Sequence, residues 1–284
     1  MASPLPSWLS NYHTGTRIGP AQALLAYVDY ACMDGTADFE PEIEERSGYV
    51  PPPMIGYASR TGTRRNLEAL RLAGWRLLVS AAGVLRTEGF RYALDNGAWS
   101  AFQQGTPFAE MAFGKALDLL GENADWVVLP DIVAGGMASL EFSLRWLERL
   151  QPFPQKLLIA VQDGMCPDDD REFLSPAVGI FVGGSTDWKL VTLESWSVLA
   201  RRRCCYLHVG RVNSARRIAL CAAAAASSFD GTSATRFAES LPNLDRALDY
   251  AHNQADLFSL SRDDVIDTTF DCRWQSTFDA LIPA

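Results

Sequence analysis

The sequence of 284 residues is informative first for what it lacks. No run of 18 apolar residues occurs, so no segment reads as a membrane-spanning helix; the most apolar stretch, Ala219 to Ala226, reads as an alanine-rich helix segment. Met1 to Pro6 has no basic region leading into an apolar one, so a secretory leader is not expected. The cysteines, Cys32, Cys166, Cys204, Cys205, Cys221 and Cys272, form no Cys-x-x-Cys pair and share no zinc-finger spacing with a histidine. They are expected to be reduced thiols of a cytoplasmic protein. Histidine is scarce: His13, His208 and His252 are far apart and lack His-Glu-x-x-His or His-x-His spacing, so neither a metal nor another cofactor is expected. There is no Gly-x-Ser-x-Gly elbow and no Cys/His pair, which argues against acyl transfer.

What is present suits one large α/β unit. With 48% hydrophobic and 21% charged residues, a chain of this length can bury about three quarters of its unfolded surface without disulfides or a structural metal. The 25 basic and 34 acidic residues give a net charge of −9, which argues against a protein built to coat nucleic acid. The basic residues nevertheless cluster, at Arg60, Arg64 and Arg65, at Arg201, Arg202 and Arg203, and at Arg211, Arg216 and Arg217. Each cluster alone is also what a solvated helix face looks like.

Short apolar runs recur at Met54–Tyr57, Arg76–Ser80, Arg91–Leu94, Trp126–Leu129, Leu157–Val161, Gly179–Val182, Cys205–Val209 and Ser227–Phe229. They lack strict polar alternation, as strands covered on both faces should. Helical patterns fall between most of them, at Thr63–Leu72, Phe108–Leu120, Ser139–Leu150, Leu190–Ala200 and Ser214–Ala225. Strands alternating with helices in this number predict a (β/α)8 barrel. The competing fold, a doubly wound open sheet, is disfavoured because no Gly-x-Gly-x-x-Gly or Gly-x-x-x-x-Gly-Lys-Ser/Thr follows the first strand. Residues 1–53, with an acidic, proline-flanked stretch from Asp34 to Pro53, are expected to form an N-terminal extension and surface lid. Residues 54–284 would be the barrel, with a helical tail after about Asn243.

In such a barrel the chemistry lies at the C-terminal strand ends, where the loops converge. Those positions hold Asp95, Asp131, Gln162, Gly183-Gly184, His208 and Asp230. One aspartate after a strand is commonly a helix N-cap; polar residues after this many strands are hard to explain as caps alone. Two aspartates facing across a barrel mouth suit substitution at a sugar anomeric carbon, one attacking and the other handling protons. Asp131, Gln162 and the backbone of Gly183-Gly184 would read a planar heterocycle by its edge, with the glycines letting the backbone approach closely. Trp99 would either stack on that ring or be a core residue of the next helix. His208 would contact a phosphate or the incoming base, or be a core histidine bonded to backbone.

These residues resemble the tRNA-guanine transglycosylases and their relatives that insert 7-deazaguanines into DNA, over about residues 54–240. Leu94-Asp95-Asn96-Gly97-Ala98-Trp99 is similar to the family's Asp-Ser-Gly-Gly-aromatic segment, Val161-Gln162-Asp163-Gly164 to Val-Gln-Gly-Gly, and Val182-Gly183-Gly184-Ser185 to Ile-Gly-Gly-Leu-Ser. Tyr206-Leu207-His208-Val209-Gly210 resembles Tyr-Leu-Met-Gly-Val-Gly, and Phe229-Asp230-Gly231-Thr232-Ser233-Ala234-Thr235-Arg236 resembles Phe-Asp-Cys-Val-x-Pro-Thr-Arg. The resemblance implies Asp230 as nucleophile and Asp95 as general acid/base. It further implies Asp131, Gln162 and Gly184, with Asn96, Trp99, Gly183, Ser185 and His208, around the base, and Arg236 on the polynucleotide backbone. Arg60, Arg64, Arg65, Arg211 and Arg216 would add phosphate contacts on the same face. The nucleotide would have to be flipped from its stack to reach the mouth.

The chain departs from the tRNA enzymes in lacking their Cys-x-Cys-x-x-Cys…His zinc site: only Cys272 lies in that region. Asn96 replaces a serine and Ala234 a proline. The absent zinc subdomain favours DNA over tRNA as polymer partner and the DNA 7-deazaguanine (preQ0) transglycosylases (DpdA-like) of phages and bacteria as nearest kin, with a 7-deazaguanine base as the second substrate. Family members are often homodimers, but no patch in this sequence marks an interface. The alternatives are a tRNA enzyme with a reduced C-terminus, a retaining glycoside hydrolase, and a non-catalytic base-binding barrel.

Overall fold

The computed structural model describes residues 53–236 and 239–260. Of the extension and lid expected over residues 1–53, residues 1–52 lie outside the described residues, as do His13, Cys32, Cys272 and the tail beyond residue 260. Eight parallel strands close on one another in sequence order: β1 (Ile55–Ser59), β2 (Arg76–Ser80), β3 (Tyr92–Asp95), β4 (Trp126–Val128), β5 (Lys156–Val161), β6 (Val178–Val182), β7 (Leu207–Val209) and β8 (Ser228–Gly231). This is the (β/α)8 barrel, and its closure, with β8 pairing back onto β1 from Ile55↔Ser228 to Ala58↔Gly231, excludes the open sheet.

The helices are α1 (Arg64–Leu72), α2 (Ala98–Gln103), α3 (Glu110–Leu120), α4 (Met137–Leu150), α5 (Pro167–Asp170), α6 (Thr186–Arg202), α7 (Ala215–Ala223), α8 (Ser233–Arg236) and α9 (Leu241–Leu260). Among the described residues, no helix is long and apolar enough to cross a membrane.

The period-2 alternation of side chains along each strand sorts the core into two layers. Ala58, Leu77, Leu94, Val127, Ile159, Val161, Ile180, Leu207, Val209 and Phe229 pack in the larger cluster with the helices. The intervening residues Tyr57, Ala93, Trp126, Val128, Leu158 and Ala160, joined by Leu78, Phe181 and Tyr206, make a separate inner cluster that plugs the barrel. Gly179 shares this inner parity and shows how tight the plug is: a Cβ there would stand 2.5 Å from the Tyr206 carbonyl oxygen and 2.7 Å from a Leu158 methyl.

The N-terminal face is closed by an ionic knot. Asp125 accepts from the Tyr57 hydroxyl at 2.9 Å, from Arg76 at 2.9 Å and from Arg91 at 2.7 Å. Alternation continued toward the other end places Ser80, Asp95, Gln162, Gly183, His208, Ser228 and Asp230 on the inner parity, above the apolar plug. The fold therefore separates a sealed, stabilising floor from a polar mouth.

Candidate active site at the barrel mouth

Asp230 is the most confined carboxylate of the mouth, 5% exposed. Its Oδ1 faces His208 Nε2 at 3.0 Å and accepts from the Arg211 amide at 3.3 Å. His208 is fully buried, stacked on Phe181 (centroids 4.8 Å apart) and against Trp126 (4.5 Å), with Nδ1 2.7 Å from the Ser228 hydroxyl. Burial pulls the imidazole pKa below its ordinary value, and its bond to Asp230 only partly restores it. The ring is therefore neutral at pH 7, and because a carboxylate only accepts, its proton sits on Nε2 while Nδ1 accepts from Ser228. Oδ1 of Asp230 is thus held and Oδ2 is the oxygen left for chemistry. His208 has no exposed surface, and its two ring nitrogens face the Ser228 hydroxyl and Asp230 rather than the open mouth.

Asp95 ends β3, where its Oδ2 accepts from the Gly97 amide at 3.0 Å. Desolvation pushes its carboxyl above the usual range, with the Ser80 hydroxyl and Gly97 amide opposing and the charge of Asp230 adding to the rise. Asp131 behaves likewise: desolvation raises it to about 6, the Asn96 amide pulls it down and the charge of Asp95 pushes it up. These couplings put Asp131, Asp95 and Asp230 in one electrostatic neighbourhood. Asn96 is buried and points its amide at Asp131 (2.7 Å) and the Leu129 carbonyl (2.6 Å), while its own oxygen accepts from Ala98 N–H (2.8 Å). It fixes Asp131 rather than offering free donors. Gln162 is anchored by its Nε2 to the Ile132 carbonyl at 2.9 Å.

Gly183 continues the ladder by donating to the Val161 carbonyl at 2.8 Å, and Gly184 turns at φ +70°. A Cβ on Gly184 would lie 2.6 Å from Asp163 Oδ2 and 2.8 Å from the Trp188 ring, so only glycine fits. Asp163 takes the Ser185 amide and hydroxyl, both at 2.6 Å, tying the loop after β5 to the N-cap of α6. Although desolvation works against it, the two Ser185 bonds hold the Asp163 carboxyl below the usual range. Asp163, Ser228 and Lys189 belong to the hydrogen-bonded set around the mouth, and inspection of strand ends alone passes over them. Lys189 is 7% exposed, donates to the Gly210 carbonyl at 2.5 Å, and is lowered to about 8 by desolvation and by the Arg211 charge.

Trp99 lies on α2 and is 40% exposed, which removes the core-residue alternative. Phe102 stacks beside it at 5.7 Å and 28°, and the Arg211 guanidinium lies 4.5 Å over the ring. The same guanidinium donates to the Gly184 carbonyl. The Arg211 head therefore lies within the mouth. The Arg60 guanidinium pairs with Glu88 (2.6 Å) and donates to the Arg86 carbonyl (3.2 Å), bracing the loop after β2. Arg64 pairs with Glu68 on the surface at 2.8 Å; Arg65, Arg216 and Arg236 are exposed on the first turns after β1, β7 and β8. A cavity of about 410 Å³ flanks the mouth between the loop after β2 and helices α2 and α3, sharing Asn96 and Gly97 with it.

No protein-family model and no curated protein matches the chain. Tryptophan synthase from M. tuberculosis, in an aminoacrylate- and BRD0059-bound form, superposes with a TM-score of 0.44 at 13% identity over 72% of this chain and 93% of that one. An open, BRD0059-bound form of that enzyme gives 0.44 at 14% identity, over 72% and 92%. A mutant flavocytochrome b2 with benzoylformate gives 0.40 at 8% identity, over 82% and 74%. Likenesses at this level carry no argument about chemistry.

Proposed function

We propose that the protein is a guanine transglycosylase acting on DNA, which exchanges a guanine for a 7-deazaguanine by double displacement. The observation that carries this reading is the coupled set Asp131–Asp95–Asp230, with one oxygen of Asp230 immobilised by His208 and the Arg211 amide. Asp230 Oδ2 attacks C1′ as the C1′–N9 bond breaks, giving a covalent sugar–aspartate ester. Asp95, whose carboxyl is pushed above the usual range by desolvation and by the Asp230 charge, gives its proton to the departing base. The incoming base returns a proton to Asp95, its ring nitrogen attacks C1′, and Asp230 leaves, so configuration is retained and the enzyme regenerated. Ionised Asp131 accepts from the ring N–H and exocyclic amine of the base, and the Gly184 carbonyl offers a further acceptor.

DNA is favoured over tRNA by the missing Cys-x-Cys-x-x-Cys…His motif in the sequence. The test is incubation with labelled guanine or 7-cyano-7-deazaguanine and either plain DNA or tRNA, followed by nucleoside analysis. Label should enter DNA, and Asp230→Ala should abolish incorporation. Full activity in Asp230→Ala would sink the mechanism; label in tRNA alone would reassign the polymer; hydrolysis of a nitrophenyl glycoside without base exchange would move the protein to the retaining glycosidases.

A further inference from the structure

The placement of Arg211 is unusual for an arginine at the rim of a nucleic-acid site. It follows β7 at φ +59°, a left-handed conformation that side chains other than glycine rarely adopt. Among the described residues it forms no salt bridge. Instead its planar head covers one face of Trp99 at 4.5 Å, while Phe102 lies along the same indole at 5.7 Å, and it donates to the Gly184 carbonyl. Trp99 and Gly184 are the groups that would stack on and bond to a flat heterocycle, and both are already engaged by one side chain.

We propose that Arg211 is a resident stand-in for the base: its guanidinium fills the slot between Trp99 and the Gly184 carbonyl and is displaced when a heterocycle carrying the same planar donor set enters. The proposal rests on the base-exchange reading for the identity of that heterocycle, but not for the existence of the slot. A guanidinium and the 2-aminopyrimidinone edge of guanine or a 7-deazaguanine have the same local chemistry, a flat N–C–N unit whose N–H groups point one way. Displacement frees the side chain from the mouth, where it can meet a phosphate of the bound strand, so base entry and backbone engagement become linked events. A ring without the 2-amino group reproduces less of the guanidinium's donor pattern and should displace it less well.

The experiment compares wild type with Arg211→Gly, which suits the positive φ, and Arg211→Lys, which keeps charge without the planar fork, after melting curves verify that each variant folds. Ligands are methylguanidinium, methylammonium, 7-deazaguanine and 7-deazahypoxanthine, titrated by calorimetry. The expected result is saturable methylguanidinium binding to Arg211→Gly and none to wild type, with methylammonium inert. Occupancy of the slot about nine-tenths of the time would make 7-deazaguanine bind Arg211→Gly ~10-fold more tightly than wild type. Arg211→Lys should lie nearer to the glycine variant, and 7-deazahypoxanthine should bind more weakly throughout. Absence of methylguanidinium binding to Arg211→Gly, or 7-deazaguanine affinity equal in or weakened by that variant, overturns the stand-in. If methylguanidinium binds but 7-deazaguanine binds neither protein, the slot stands and the base-exchange reading falls.

Discussion

Asp131 shows how a single side chain can oppose folding while serving a site. Its carboxyl is raised from 3.8 to about 6, chiefly by desolvation. The folded protein therefore holds that proton more tightly than the unfolded chain, and stability declines as pH climbs from about 4 to 6 and stays reduced above. The ionised group opposes folding at pH 7 by on the order of 2–3 kcal/mol. Asp131→Asn, which keeps the acceptor for the Asn96 amide, should raise Tm at pH 7 and leave it nearly unchanged at pH 4. The same ionisation makes the carboxylate an acceptor, so affinity for a 7-deazaguanine should strengthen between pH 5 and 7 in wild type and become weak and pH-independent in Asp131→Asn. A variant that loses stability at neutral pH, or keeps the pH-dependent affinity, would contradict this account.

At the scale of elements, the loop–helix junction after β6 depends on one glycine. In Gly184→Ala the side chain enters a left-handed position and meets Asp163 and Trp188, so a cost of about 2 kcal/mol or more is expected. Breaking the Asp163–Ser185 tether would shift the Gly184 carbonyl, so base affinity should fall further than Tm alone explains; affinity retained alongside a lowered Tm would deny the carbonyl its role. The eight strands were legible because each is a short run without regular polar alternation, and the boundaries of β2 match the expected Arg76–Ser80. The start of α6 was not, since Thr186, Asp187 and Lys189 look solvated although Lys189 is buried; its head bonds to a strand-end carbonyl outside its own helix. The four-residue α5 has too few turns to show periodicity. Asp95, Asp131 and Gln162 could be read from strand ends alone. The enclosure of His208 could have been read from alternation, because Leu207 and Val209 face the helices and leave the intervening residue to the barrel interior. Nothing in the sequence foretold that Arg211 turns inward, because that depends on a non-local pairing of its head with the ring after β3 and the carbonyl after β6.

Across the whole molecule, a net charge of −9 coexists with a mouth whose rim is chemically divided. Exposed apolar residues Trp99, Phe102, Ile132 and Met137 follow β3 and β4, whereas the exposed cations Arg65, Arg216 and Arg236 follow β1, β7 and β8. A strand laid across this rim would place bases toward the aromatic side and phosphates toward the arginines. Binding of a single-stranded oligonucleotide, followed by fluorescence anisotropy, should then be strongly salt-dependent despite the acidic composition. With three phosphate contacts, affinity should drop on the order of 20-fold between 50 and 200 mM salt. Arg65→Ala and Arg216→Ala should each flatten the log–log slope by about 0.7, the contribution of one released counterion on a single strand. Trp99→Ala should weaken binding without changing that slope, since stacking releases no counterion. A salt-independent affinity, or a slope altered equally by the tryptophan and arginine variants, would mean that the rim does not sort bases from phosphates in this way.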